Sequence, residues 1–71
     1  MYWVHHTKRR YYRVHVTRDL FGDLAVIACW GSLDSNHGNW RRTRLQSQED
    51  LERVLETIKT RRRQHGYELL H

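Results

Sequence analysis

The sequence predicts an α+β fold, a small antiparallel sheet of three to four hairpin-connected strands packed against one C-terminal helix. Three observations lead there. Two stretches alternate in side-chain character with period two, the pattern of a half-buried strand. Gly-, Asp- and Asn-containing turns separate these stretches from the apolar run between them. The last third changes to a helical period. At 71 residues the chain is one domain over 1–71. A chain this size buries only about 60% of the surface its unfolded form exposes, so a shallow working surface is expected rather than a deep cleft.

The first strand is "RRYYRVHVTRD". Tyr12, Val14 and Val16 fall on one face, and Tyr11, Arg13, His15 and Thr17 on the other. "DLFGD" places Gly22 between aspartates and reads as a turn. "LAVIACWG" is continuously apolar, which suits a central or doubly covered strand. After the turn-forming "SLDSNHGN", "WRRTRL" returns to period two. Trp40, Arg42 and Arg44 lie on one side, and Arg41, Thr43 and Leu45 on the other.

In "SQEDLERVLETIKTRRRQHG", Leu51, Val54, Leu55 and Ile58 form a helical apolar stripe. Ser47 is a good N-cap, with Asp50 three residues on. Glu49, Asp50 and Glu52 suit the positive helix start, Arg61, Arg62 and Arg63 the negative end, and Gly66 a left-handed C′ position. "YELL" can fold back as a short strand, and "MYWVHH" can form a further edge strand.

Thirteen Lys and Arg against eight Asp and Glu give a formal net charge of +5. Such a surplus favours an anionic partner, nucleic acid first. The acids of the helix start are accounted for by the helix dipole. The basic groups at Arg13, at Arg41, Arg42 and Arg44, and at Arg61–Arg63 have no single explanation common to all three. The helix-end arginines also suit ordinary helix chemistry, and edge-strand arginines discourage sheet-to-sheet pairing.

Other chemistries find little footing. The single Cys29 forms no internal disulfide and sits in an apolar run, as a core residue would. The six histidines lack metal-ligand spacing, and no acid pair, Ser-His arrangement or phosphate loop is present. No run approaches the roughly 18 apolar residues of a membrane span, and no leader pattern is visible. The expectation is a cytoplasmic, non-enzymatic module with no cofactor, metal or membrane contact.

The order "YYRVHV…CWG…RRRQHGY" resembles a WGR domain, a family named for its Trp-Gly-Arg tripeptide, over about residues 9–67. "DLFGD" is similar to a turn common in bacterial members, Trp30-Gly31 ends the second strand, and Gly66-Tyr67 follows a basic helix end. The departures are Ser32 at the motif Arg, and Asp34 where a Gly is usual. The domain occurs in poly(ADP-ribose) polymerases and in bacterial proteins, sometimes alone. In the polymerases it binds DNA ends and communicates with a catalytic neighbour, and its Trp contacts the terminal nucleotide's sugar. The resemblance therefore implies a stacking role for Trp30, and DNA ahead of RNA. Signalling to a neighbour is weakened by Ser32.

Two readings of the tryptophans stay open. Trp30 is either a core residue or an indole offered to a base or sugar, with Gly31 keeping the backbone clear. Trp40 shares its strand face with Arg42 and Arg44, so it is a platform if that face is solvent. The expectation is that Trp30 meets solvent at the loop margin while the arginines after Trp40 supply charge. The nucleic-acid surface would then comprise Trp30, Gly31, Arg13, Trp40, Arg41, Arg42, Arg44, Arg61, Arg62 and Arg63. The alternative is a protein-interaction module that docks an acidic partner or self-associates.

Overall fold

Both alternating stretches and the apolar run between them fold as strands, and two short segments near the ends join them. The computed structural model describes residues 1–71. Its elements are β1 (Tyr2–His5), β2 (Arg10–Arg18), β3 (Leu24–Ser32), β4 (Gly38–Arg44), α1 (Gln48–Gln64) and β5 (Glu68–Leu69). The strands form one open sheet in the order β4-β3-β2-β1-β5, with every neighbouring pair antiparallel. The fold is α+β, with the expected hairpins and C-terminal helix. The sheet has five strands instead of three to four. β1 is also not an edge, because β5 pairs outside it through Trp3–Leu69 and Val4–Glu68. Strands of four and two residues are too short to show a period, and their pairing joins opposite ends of the chain.

The β2–β3 turn is organised by Asp19. Its Oδ1 accepts backbone N–H bonds from Phe21 (2.8 Å) and Asp23 (3.0 Å). Gly22 supplies the left-handed backbone, at φ +80°. This fixed tip holds Leu20 and Phe21 in solvent, 99% and 86% exposed.

Helix α1 starts as its sequence directs. Ser47 Oγ accepts from the N–H of Asp50 at 3.2 Å, and Asp50 Oδ2 accepts from the N–H of Gln46 at 3.3 Å. Its end is a Schellman cap. The N–H of Tyr67 donates to the Arg62 carbonyl (2.9 Å), and that of Gly66, at φ +83°, donates to the Arg63 carbonyl (3.2 Å).

The helix covers one face of the sheet. Leu51 is buried there against Trp3, Val14, Val26, Ala28 and Leu45, with Val54, Leu55 and Ile58 packed around them. Six buried residues make up this cluster, so the core under the helix is one thin layer. No helix or loop layer covers the other face. The radius of gyration of 12.9 Å exceeds the roughly 11 Å of a compact chain of this length, as a flat, half-covered sheet requires.

Strand alternation assigns every sheet residue to one of these faces. The pairing of Tyr12 with Trp30 and of Ala28 with Arg41 puts Trp30 and Arg41 on the helix side. The pairing of Arg13 with Cys29 and of Cys29 with Trp40 puts Trp40 on the uncovered side, with Arg42 and Arg44 two and four residues on.

Candidate nucleic-acid interface

The helix-side face extends past the end of α1, and there the cap determines what fills the space. The Schellman turn brings Tyr67 back beside Arg62, whose guanidinium carbon lies 5.0 Å from the Tyr67 ring centre. The same guanidinium lies 4.2 Å from the ring centre of Tyr12. Tyr12 in turn stacks on Trp30, with centroids 5.9 Å apart and planes 13° apart, and meets Trp3 edge-on at 6.1 Å. Contacts of this kind favour a cation over a ring face, and more strongly where water is excluded. Arg62 Nε is buried without a hydrogen-bond partner, and no carboxylate pairs with this side chain.

Arg10, Tyr12, Trp30, Arg41, Arg62 and Tyr67 line one groove of about 300 Å³. That volume is at the small end of ligand sites, roughly 300–1,000 Å³. The lining is three guanidinium groups and three aromatic rings, with no acid. A second depression adjoins it across Arg10 and Trp30, reaching Ser32, His37 and Asn39. Trp30 thus stands between two hollows. Chemically the site offers ring faces for stacking and bidentate donors for phosphate.

The ten expected residues do not form one surface. Trp30, Arg41 and Arg62 meet in the groove. Arg13, Trp40, Arg42 and Arg44 lie across the sheet on the uncovered face. The expectation that Trp30 is the indole in solvent is corrected. Trp30 is half-buried against Tyr12, whereas Trp40 is 70% exposed. The cause is strand parity, since the two tryptophans point to opposite sides of the sheet.

The helix-end arginines also separate, because successive residues turn about 100° around a helix axis. Only Arg62 lines the groove. Arg63 turns toward Trp3 and Leu69, and Arg61 toward Thr57 and Gln64 on the outer side. Gly31 lies where two neighbouring strands come close. A Cβ there would come within 2.7 Å of the His37 carbonyl and 3.3 Å of the Tyr11 ring, so the glycine admits β4 and Tyr11 on the side away from Trp30.

Three groove residues, Arg10, Tyr12 and Tyr67, were not among those expected. Arg10 shares the parity of Tyr12 and Val14, a signal present in the sequence. Tyr67 follows a glycine cap that folds the next residue back onto the last turn.

Around these surfaces, two carboxylates are already engaged. The Arg9 guanidinium donates to Asp34 through Nη2 (2.9 Å) and Nε (3.2 Å), which holds the Asp34 carboxyl below and the Arg9 guanidinium above their ordinary values. Asp19 is also held below the usual carboxylate range, first by the N–H of Asp23, then by that of Phe21 and by Arg44 and Arg42, each 3.6 Å away.

No cluster of three or more His, Cys, Asp or Glu side chains is placed to hold a metal ion. No helix is long and apolar enough to cross a membrane. Compared with protein-family models, curated proteins and solved structures, the chain finds no match.

Proposed function

We propose that the chain is a nucleic-acid-binding module, for DNA ahead of RNA, that binds through the helix-side groove and performs no catalysis. One observation carries this reading: Arg10, Arg41 and Arg62 converge with Tyr12, Trp30 and Tyr67 on a single acid-free groove. Stacking on an aromatic face is worth roughly 1–3 kcal/mol per base, and guanidinium groups bind phosphate bidentately. The net charge of +5 adds long-range attraction to a polyanion. The WGR-like order of motifs supports DNA, and specifically its ends or breaks. A cytoplasmic setting belongs to the same proposal.

Anisotropy of labelled blunt, nicked and single-stranded oligonucleotides at two salt concentrations tests it. Binding should weaken with salt with a slope near −0.9 per phosphate contacted on a duplex. Arg41→Ala should weaken binding without unfolding the chain, because Arg41 lies exposed on an edge strand. Trp30→Ala should weaken it too, at some cost in stability through the lost Tyr12 stack. Absence of binding at low micromolar protein rejects the proposal.

A second reading is a protein-interaction module, and the hydrogen-bonded hairpin tip that presents Leu20 and Phe21 to solvent favours it. A pull-down that returns one acidic protein after nuclease treatment would select this reading.

A further inference from the structure

The alternation that turns Arg41 into the groove turns its neighbours the other way. Cross-strand pairing lays Tyr2, Arg13, Cys29 and Trp40 in one row across the uncovered face. The next row is His15, Ile27 and Arg42, and the next is Thr17, Ala25 and Arg44. None of these side chains is acidic. Ile27 and Cys29 are half-buried and floor a flat surface, from which Trp40 rises 70% exposed.

The cations here are accessible. The side chains of Arg42 and Arg44 keep 44% and 65% of their exposure. The one carboxylate in reach, Asp19, sits at the hairpin end, is divided between both arginines at 3.6 Å, and is already bonded to two backbone N–H groups. Arg13 is braced over the Tyr2 ring at 5.0 Å. Glu68, opposite Val4 at the far edge of the same face, is paired with His6. Two guanidinium groups against one shared carboxylate, together with Arg13, leave the β2–β4 part of this face positive.

We infer that the uncovered face is a second nucleic-acid surface, independent of the groove, that takes a single-stranded segment. Trp40 stacks a base, and Arg13, Arg42 and Arg44 hold the backbone. The single-stranded form follows from the shape. A flat face with a projecting indole needs an exposed base face, which a duplex interior withholds and an unpaired strand presents. Arg42 and Arg44, two residues apart on one strand, stand about 7 Å from each other, a spacing that successive phosphates of an extended strand match. With one polyanion site on each side of a two-layer molecule only 16 Å across its thinnest dimension, one chain bridges a duplex and an unpaired strand. This inference rests on the nucleic-acid reading of the groove.

A bridging assay on the full chain tests it. A donor-labelled duplex hairpin and an acceptor-labelled oligo(dT) are mixed with the protein, and energy transfer reports a ternary complex. The wild type should give transfer. Trp40→Ala should weaken oligo(dT) binding roughly 5- to 150-fold, the range expected for one lost stack, and leave duplex binding unchanged. Trp40→Phe should restore much of it, and Arg42→Ala with Arg44→Ala should weaken oligo(dT) binding and reduce its salt dependence. Arg41→Ala should do the reverse, weakening the duplex alone.

Displacement of oligo(dT) by duplex would show one shared site and overturn the inference. So would energy transfer that survives Trp40→Ala, which would assign bridging to pairs of grooves in a dimer. Binding of polyglutamate as tightly as oligo(dT), unaffected by Trp40→Ala, would reassign the face to acidic protein. If duplex binds normally but oligo(dT) ignores all three face variants, the second surface fails and the groove stands. If neither nucleic acid binds the wild type, the groove reading itself has failed.

Discussion

Arg9 is neutralised before any ligand arrives. Asp34 clamps it through two guanidinium nitrogens, and Ser32 Oγ accepts the N–H of Asp34 at 3.0 Å to set the loop that delivers the carboxylate. Ser32 and Asp34 therefore act together, tying the β3–β4 loop to the β1–β2 turn. Arg9 has a left-handed backbone there (φ +55°), which the clamp helps to hold. Asp34 and Asp19 both have depressed carboxyl values in the folded state. Their contribution is complete above the ordinary value near 3.9 and is lost as pH falls through the folded values. The stability these two carboxylates contribute should thus be lost as pH falls below about 4. Asp19→Asn should flatten part of that acid decline, as a pH series of melting curves would show. Gly31 is a sharper case. Gly31→Ala should destabilise by about 1–3 kcal/mol in chemical denaturation, because the added methyl meets backbone on β4. The sequence shows Gly31 as the end of an apolar run. The close approach that requires it belongs to β4 and Tyr11, which only the folded register brings near.

Among the elements, α1 was the most legible, because each of its signals is local. The Ser47 cap, the apolar stripe and the Gly66 stop all act within a few residues, and all appear as read. Ser47→Ala should cost about 1 kcal/mol, measured as a lowered denaturation midpoint, with nucleic-acid binding unchanged per folded molecule. The strands were legible in kind but less so in arrangement. β2 and β4 show their two faces by alternation, whereas the continuous run "LAVIACWG" hides which side of β3 meets the helix. Leu45 resolves it, being the apolar member of the Arg41–Thr43–Leu45 side and buried against Leu51. From that parity Trp30 joins Arg41, and Trp40 joins Arg42. The helix-end arginines were read as one group because they adjoin in sequence. Rotation about the helix axis makes Arg62 alone a groove residue.

At the scale of the molecule, one helix cannot cover both sides of a five-stranded sheet, and the fold buries only eight hydrophobic residues. The same shortage of covering material creates two dissimilar charged faces back to back, a grooved one in which Arg62 is held between rings and a flat one whose Arg42 and Arg44 share a single carboxylate. Composition announced the net charge. It carried no information on how the sheet would divide it.

The three tryptophans occupy three distinct environments. Trp3 is 2% exposed in the core, Trp30 is half-buried beside the groove, and Trp40 is 70% exposed on the opposite face. Their intrinsic emission is therefore separable without any label. Acrylamide should quench the red-shifted light of Trp40 first, leaving the blue-shifted light of Trp3 until the chain unfolds. Occupancy of the flat face should shield Trp40 from the quencher, while occupancy of the groove alters Trp30. The native chain thus carries one built-in probe for its core and one for each of its faces.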